Sequence, residues 1–315
     1  MELLAKLTEQ LPWRLWQRHL GMFIRYGNIQ KYRNAASAIY HYLKSSEIIS
    51  NKPCFLKIEI SRHCTVDCLY CYSKKEQLFY PFDKFKLLID EVKADAFMVQ
   101  LYEIGEPLHH ERLLDFIRYA HEAGLATVIS SSLSVRMPDR FWHELSTIGL
   151  DLMIVAIDGI TESSYKRYRK SGDFNLVMEN FHKLLDAKSR AQSSMSIEWQ
   201  MVDFPWNSHE QAEARKMSIA AGCDVFRIIP ENSGPRIKSQ KAHMLRKRNC
   251  LWAYVLLLVD AYNNVVPCFK PDCMPGIVGN LAESDFIDIW NGTEIRSIRN
   301  PEKIAHREGC MYCTE

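Results

Sequence analysis

Residues 55–71 read FLKIEISRHCTVDCLYC, a strand-like run that leads into three closely spaced cysteines. Cys64, Cys68 and Cys71 have the spacing C-x3-C-x2-C. Thiolates are soft ligands that suit zinc or an iron–sulfur cluster. A closed structural zinc site needs four ligands, whereas a site that does chemistry keeps one coordination position open. The three thiols therefore predict a metal centre with an open position, directly after a strand.

Strand-like and helical stretches alternate from this run to about residue 230. The stretches between the strands have helical periodicity, and several of them end at glycine. Strands that alternate with helices predict βα units and a parallel sheet or barrel, hence an α/β fold. The six predicted strands are 55–61, 97–104, 126–132, 151–158, 196–202 and 224–230.

Polar residues recur at every second position of these strands. Lys57 and Glu59 follow this pattern in the first strand, Glu198 and Gln200 in the fifth, and Arg227 lies in the sixth. Alternate residues share a face, so we expect a polar inner face and a barrel that encloses a cavity. An antiparallel sheet exposed on one side is the alternative, and the intervening helices argue against it.

The strand phase makes Arg227 and Glu198 candidate catalytic residues. An inward Arg227 could anchor a carboxylate or phosphate, or act near a hydroxyl that is oxidised. Each of the two side chains could instead form a buried ion pair with a neighbour.

The composition and the N-terminal segment predict the cellular compartment of the chain. The 315 residues carry a formal net charge of +2, which does not indicate a nucleic-acid partner, and none is expected. The sequence has no apolar run of about 18 residues and no secretory signal, so we predict a cytoplasmic chain without a membrane span. Ten cysteines in such a chain are more typical of metal or redox sites than of disulfides.

The ends of the chain differ from the middle. Residues 1–50 have a rough apolar stripe at helical spacing and predict a helical extension on the main domain, with a membrane-surface helix as the alternative. A basic run follows residue 235, and residues 250–315 lack the βα rhythm. We therefore predict an extension (1–50), a main domain (51–232) and a small C-terminal domain (233–315).

Three segments resemble the radical S-adenosylmethionine (SAM) superfamily. CTVDCLYC (64–71) is similar to its cluster loop, with Tyr70 at the aromatic position of C-x3-C-x-aromatic-C. YEIGEPLHH (102–110) resembles its Gly-Gly-Glu-Pro motif, in which Gly105, Glu106 and Pro107 match and Ile104 replaces the first glycine. In the segment after the fourth strand, Arg169 falls where the family often has an arginine.

The resemblance implies a partial (β/α)6 barrel over the main domain. In that family three cysteines, here Cys64, Cys68 and Cys71, hold three irons of a [4Fe–4S] cluster, and SAM chelates the fourth iron. Reductive cleavage of SAM then yields a 5′-deoxyadenosyl radical that takes a hydrogen atom from the substrate. The family also implies an electron donor such as flavodoxin or ferredoxin.

The resemblance also implies cofactor contacts. Tyr70 is expected near the adenine, the segment Gly105–Pro107 at the methionine amino group, and Arg169 at the methionine carboxylate. The chain departs from the family at Ala156, where a ribose-binding serine is common. Ser132 and Asp158 are the candidates for the ribose instead, although Asp158 with the next glycine could simply form a turn.

The C-terminal cysteines resemble a shortened SPASM domain, known as a twitch domain. The resemblance implies a small α+β unit with one auxiliary [4Fe–4S] cluster, ligated by Cys250, Cys268, Cys310 and Cys313. A hairpin is expected around Asn263-Asn264, and zinc at the same thiolates is the alternative. Cys273 is left over and is a further catalytic candidate, as a hydrogen-atom donor or a substitute ligand.

Several functions are compatible with these features. We favour an enzyme that oxidises or rearranges a small polar molecule, similar to a sugar or aminocyclitol, with the auxiliary cluster as the electron acceptor. A SPASM-type peptide-modifying enzyme and a radical epimerase are the alternatives. A non-enzymatic zinc scaffold is disfavoured, since a scaffold has no use for a Gly-Glu-Pro cofactor site.

Overall fold

The computed structural model describes residues 13–71, 76–231, 249–268 and 276–304. The main-domain strands are β1 (Phe55–Ile58), β2 (Met98–Gln100), β3 (Ala126–Ser131), β4 (Leu152–Ala156), β5 (Ser196–Asp203) and β6 (Val225–Pro230). Helices α1 (Trp13–Tyr26) and α2 (Ile29–Leu43) precede them. The helices between the strands are α3 (Phe82–Val92), α4 (Leu113–Glu122), α5 (Asp139–Thr147), α6 (Glu162–Tyr168), α7 (Phe174–Arg190) and α8 (Gln211–Ala221). Short 3-10 helices occupy Pro107–His109 and Ser208–Glu210.

The C-terminal part consists of short elements. Its strands are β7 (Leu256–Val259), β8 (Asn264–Val266) and β9 (Gly279–Asn280), and its helices are α9 (Trp252–Val255), α10 (Phe286–Trp290), α11 (Thr293–Arg299) and α12 (Pro301–Ile304). The turn between β7 and β8 has Asn263 at φ 67°, so the predicted hairpin is confirmed.

The nine strands of the described residues form one sheet in the order β6-β5-β4-β3-β2-β1-β7-β8-β9. Strands β1 to β6 are parallel and follow sequence order, so the predicted α/β fold with a partial (β/α)6 barrel is confirmed. Strand β7 pairs in parallel with β1 at the edge where a closed barrel would place β6. The C-terminal strands therefore continue the barrel sheet.

The core lies between the strands and the surrounding helices. Trp199 on β5 is fully buried, and its Nε1 donates to the carbonyl of Ile157 at 2.9 Å. Its ring lies 5.2 Å from that of Phe181 on α7, in an edge-to-face arrangement. Burial of an aromatic side chain of this size contributes about 2–3 kcal/mol, which ties the helix to the strand.

Helices α1 and α2 cover the N-terminal ends of the strands. The ring of Phe23 lies 5.6 Å from that of Phe55, the first residue of β1, and 4.6 Å from that of Phe97, which precedes β2. The hydroxyl of Tyr26 donates to the carboxylate of Asp151, which precedes β4, at 2.8 Å. The extension therefore closes the end of the barrel opposite to the cysteine loop that follows β1.

The C-terminal cysteines divide between described and undescribed residues. Cys250 is buried just before α9, and Cys268 follows β8. The predicted ligands Cys310 and Cys313, and the spare Cys273, lie outside the described residues. Within the described part of the chain, no helix is long and apolar enough to cross a membrane.

Candidate active site

The cysteine loop is anchored through its backbone at the C-terminal ends of the strands. The amide of Glu106 donates to the carbonyl of His63 at 2.9 Å, which ties the loop to the segment after β2. On the other side, the amide of Leu69 donates to the carbonyl of Tyr168 at 2.7 Å. The loop is thus held from both sides by the protein itself.

Two residues at the loop have backbone requirements. A Cβ atom at Gly105 would lie 2.0 Å from the carbonyl oxygen of Ser61, so only glycine fits there. Tyr70 has φ 71°, which is uncommon for a residue with a side chain, and 40 % of its surface is exposed. Its ring is therefore accessible where the resemblance expects the adenine.

The three thiols of the loop are free of disulfides and differ in exposure. Cys64 and Cys68 are half-buried, and Cys71 is exposed. Burial, followed by the negative charge of Glu106, raises the pKa of the Cys64 thiol to about 11. A metal would therefore have to displace the proton of this thiol on ligation, as metals do.

No three His, Cys, Asp or Glu side chains converge on one metal ion within the described residues. Such convergence is what a mononuclear zinc site requires. An iron–sulfur cluster of the [4Fe–4S] type instead takes its thiolates on separate irons. Three free thiols on one loop fit that cluster in number and chemistry.

A buried ion pair lies beside the loop. Nε of Arg169 donates to Oδ2 of Asp158 at 2.7 Å, and Nη1 reaches Sγ of Cys68 at 3.7 Å. The amide of Val202 donates to Oδ1 of Asp158 at 2.8 Å, so both carboxylate oxygens have partners. The pKa of the Cys68 thiol is raised by burial, and the positive charge of Arg169 opposes part of this rise. The structure thus brings together two predicted cofactor residues and one predicted ligand.

Glu106 and Ser132 also meet. The amide and the hydroxyl of Ser132 donate to Oε2 of Glu106 at 2.8 and 2.7 Å, and the amide of Leu108 donates to Oε1 at 3.2 Å. Glu106 is 2 % exposed. Its carboxylate therefore caps the 3-10 helix that begins at Pro107 and fixes the segment after β3.

The inner face of the barrel is polar, as the strand phase predicts. Nζ of Lys57 forms an ion pair with Glu103 and lies 4.8 Å from the ring centre of Tyr102. Nε of Arg227 donates to Oε1 of Glu198 at 2.6 Å. Tyr102 lies within electrostatic range of both pairs. The predicted catalytic residues Glu198 and Arg227 thus form the ion pair that the sequence left open as an alternative.

Two residues next to the site could not be predicted from the sequence pattern. Glu103, the partner of Lys57, lies outside the alternating strand pattern. The hydroxyl of Ser171 accepts from the amide of Asp67 at 2.7 Å and donates to the carbonyl of Thr65 at 3.0 Å. It reaches the cysteine loop only through tertiary contact, across about a hundred residues of sequence.

Family comparisons match two parts of the chain. The model for the radical SAM superfamily matches residues 58–197. The SPASM model, described as an iron–sulfur cluster-binding domain, matches residues 250–314. The two matches cover the three-cysteine loop and the predicted auxiliary ligands.

Curated relatives include several enzymes. The AdoMet-dependent heme synthase of Methanosarcina barkeri is 22 % identical over 84 % of this chain and 90 % of its own length. The Fe-coproporphyrin III synthase of the same organism is 27 % identical over 39 % of this chain, and the match spans only 32 % of that relative. The GTP 3',8-cyclase of Clostridium perfringens is 24 % identical over 58 % of each chain.

Solved structures share the fold. SuiB of Streptococcus suis bound to its precursor peptide SuiA has a TM-score of 0.65 at 13 % identity, over 84 % of this chain and 70 % of that one. BtrN in complex with AdoMet and 2-DOIA has a TM-score of 0.53 at 15 % identity, over 85 % of this chain and 95 % of that one.

Proposed function

The chain belongs to the radical SAM superfamily, and we propose that it oxidises or rearranges a small polar molecule held inside the barrel. It is a radical SAM enzyme whose cofactors are a [4Fe–4S] cluster, SAM and auxiliary iron–sulfur clusters in the SPASM domain. When bound, the cluster and SAM supply a 5′-deoxyadenosyl radical. The remaining work of binding, orienting and shielding belongs to the protein.

In this proposal Cys64, Cys68 and Cys71 hold the cluster. The backbone contacts on both sides of their loop keep the thiols in place, and the exposed ring of Tyr70 is available to the adenine. Arg169 supplies a positive charge beside Cys68, which offsets the negative charge of the thiolate. Gly105 lets the segment after β2 approach the loop closely enough to join it.

The polar inner face is the observation that carries the substrate class. The pairs Lys57–Glu103 and Glu198–Arg227 lie on strands or strand ends that face the barrel interior. Glu198 is fully buried, whereas a third of the Arg227 side chain is exposed. An apolar substrate would exclude water from these charged groups and supply no hydrogen bonds in return, which is costly. Hydroxyl or anionic groups of a substrate would instead bind to the open side of Arg227.

The SPASM cysteines support the oxidative form of the proposal. We assign one auxiliary [4Fe–4S] cluster to Cys250, Cys268, Cys310 and Cys313. Four thiolates close the coordination of such a cluster, which suits electron transfer better than direct substrate binding. A zinc ion at the same thiolates would leave hydrogen abstraction possible and remove the electron acceptor.

A heme precursor is a second candidate substrate. The alignment to the heme synthase spans most of both chains, which distinguishes it from the shorter matches. A peptide substrate is a third reading, and the SuiB likeness supports only the shared fold. A small-molecule filtrate and a protein fraction of the source cells, added separately to the reconstituted enzyme, should separate the peptide reading from the two small-molecule readings. The proposal expects faster 5′-deoxyadenosine formation with the filtrate alone.

Replacement of Arg227 tests the substrate site directly. We expect Arg227→Gln, made together with Glu198→Gln, to lower filtrate-stimulated turnover about 10- to 100-fold, the loss of one charge-assisted hydrogen bond. The double change avoids leaving a buried Glu198 carboxylate without its guanidinium partner. Uncoupled 5′-deoxyadenosine formation without substrate should stay near the wild-type rate, because the proposal gives this pair a role toward the substrate and none toward the cofactor.

The matched control is Lys216→Gln with Glu213→Gln, an exposed ion pair on α8. Unchanged stimulated turnover in the Glu198/Arg227 variant would contradict the assignment of the substrate site. An equal loss of the uncoupled reaction would mean that the pair supports the fold or the cofactor site instead.

A further inference from the structure

The outward face of helix α2 is apolar. Its exposed apolar and aromatic residues recur at helical spacing and fall on one side of the helix: Ile29, Tyr32, Ala36, Ile39, Tyr40 and Leu43. Ile29 is 68 % exposed and Leu43 is 74 % exposed. A helix on the surface of a globular protein normally has charged and polar residues on this side.

The opposite side of α2 is already used by the fold. Lys31, Asn34 and Ala38 are buried against the rest of the chain. The side-chain amide of Asn34 donates to the backbone carbonyls of Lys52 and Asp95 at 2.9 and 3.2 Å. Helix α2 therefore packs on the fold through its other side, and its apolar outward face takes no part in that packing.

Exposed apolar residues also occur on both sides of α2 along the chain. Leu20 and Ile24 on α1 are 58 % and 66 % exposed, and Ile48 after α2 is 63 % exposed. Together with the exposed residues of α2 they form what we call the apolar face. Exposed apolar patches of this kind mark sites that bind a partner or a lipid surface.

The charged side chains of α1 and α2 are all basic. From Gln10 to Ser46 the sequence contains no Asp or Glu and six Lys or Arg residues. Of these, Arg25, Arg33 and Lys44 are exposed; Arg25 is paired with Asp151 at 3.3 Å, and Arg33 lies at the edge of the outward face of α2. The chain has 38 acidic residues, and the three in residues 1–50 (Glu2, Glu9 and Glu47) all lie outside α1 and α2.

We propose that the apolar face binds the surface of a membrane that contains anionic lipids. Apolar and aromatic residues on one side of a helix, flanked by cations without anions, are the features of helices that lie in the lipid interface. Each cation near an anionic leaflet adds to the attraction. A second copy of the chain fits less well, because a self-complementary contact would bring the same cations together.

The position of the apolar face leaves the active site open. Helices α1 and α2 cover the N-terminal ends of the strands, and the cysteine loop lies at the C-terminal ends. A chain held to a membrane by the apolar face would keep its cofactor and substrate end away from the lipid. The proposal therefore concerns where the enzyme acts and does not depend on its substrate.

Vesicle co-sedimentation of the full-length, cluster-loaded enzyme tests the proposal. We expect binding to phosphatidylcholine vesicles that contain phosphatidylglycerol, and weaker binding to phosphatidylcholine alone. The double change Ile39→Glu and Leu43→Glu should weaken binding at least about tenfold, through lost apolar burial and added repulsion. Arg33→Glu with Lys44→Glu should weaken binding to the anionic vesicles only.

A matched control places the same charges elsewhere. Leu87 on α3 and Ile219 on α8 are 65 % and 62 % exposed, so Leu87→Glu with Ile219→Glu should bind like the wild type. Equal binding by the α2 variant and this control would overturn the proposal, as would no binding by the wild type.

Other occupants of the apolar face give different results. A wild-type dimer in gel filtration that the α2 variant converts to a monomer, without vesicle binding, would identify a second copy. Vesicle binding that appears only after removal of residues 1–12 would show that this segment covers the face. Either result overturns the proposal. The iron content of each variant verifies that it is folded.

Discussion

At the scale of single residues, the cofactor site is built from pairs of side chains that hold each other. Arg169 is fixed by Asp158 and reaches Sγ of Cys68, so we infer that it acts on a proposed cluster ligand, in addition to its predicted contact with the SAM carboxylate. Hydrogen bonds and positive charge at a ligating sulfur stabilise the more negative, reduced state of a cluster. Arg169 should therefore influence the reduction potential of the cluster.

We expect Arg169→Gln to shift the midpoint potential of the SAM-binding cluster to more negative values by several tens of millivolts. The reduced cluster loses a positive charge beside one ligand, and its formation becomes less favourable. A redox titration followed by electron paramagnetic resonance measures this without substrate. The control is Arg167→Gln, an exposed arginine on the same segment, which should leave the potential unchanged. A potential equal to that of the wild type in Arg169→Gln would contradict the inferred contact.

Ser132 and Glu106 show that a motif can predict which residues lie near a cofactor but not which of them contact each other. The motif indicates that both residues belong near the cofactor, and their assignment as SAM contacts stays a prediction. The sequence does not reveal that the hydroxyl of Ser132 donates to the Glu106 carboxylate, because the two are 26 positions apart. That contact exists because parallel strands bring their C-terminal ends side by side.

At the scale of elements, helix α2 is attached to the barrel by a buried cation. Nζ of Lys31 donates to the carbonyl of Gly124, just before β3, at 2.6 Å. Burial lowers the pKa of Lys31 from its ordinary value of 10.5 to about 8, and the charge of Asp95 opposes part of this shift. The folded chain therefore holds this proton less tightly than the unfolded chain does.

The lowered pKa predicts a pH dependence of stability. Between pH 8 and 10.5 the unfolded chain binds more protons at Lys31 than the folded chain, so stability from this group rises with pH across that window. Relative to Lys31→Met, the free energy of unfolding of the wild type should increase by about 2 kcal/mol from pH 8 to pH 10. Thermal unfolding of both proteins over this range measures the difference. Parallel curves would mean that Lys31 has an ordinary pKa.

At the scale of the whole molecule, one sheet connects the two groups of cysteines. Phe55 pairs with Leu256 and Ile58 with Val259, so β1 and β7 run side by side in the same direction. Cys64 follows β1, whereas Cys250 precedes β7, and the two therefore lie toward opposite ends of the paired strands. The length of the β1–β7 pair therefore separates the cysteine loop from the start of the SPASM region.

Iron analysis tests the two-cluster arrangement. After anaerobic reconstitution we expect about eight irons and eight sulfides per chain, the content of two [4Fe–4S] clusters. Cys250→Ser with Cys268→Ser should reduce this to about four and retain uncoupled SAM cleavage. Cys54→Ser with Cys223→Ser is the control, because neither cysteine is a proposed ligand. About four irons together with zinc in the wild type would contradict an auxiliary electron acceptor and favour a redox-neutral reaction.

The sequence by itself determined the βα repeat, the polar inner face and the three-thiol loop. Each of these depends on local spacing: period two in the strands, helical periodicity between them, and cysteines within eight positions. Local spacing is preserved in the fold, so such features can be predicted from one sequence. The hairpin around Asn263 belongs to the same class.

Only the tertiary structure decided which distant groups meet. The pairing of β7 with β1, the Asp158–Arg169–Cys68 contact, and the ion pair between Glu198 and Arg227 join residues far apart in sequence. The apolar outward face of α2 belongs here too, because helical spacing shows an apolar stripe but not which side is covered. Such contacts depend on how the elements pack, and packing is a property of the whole chain.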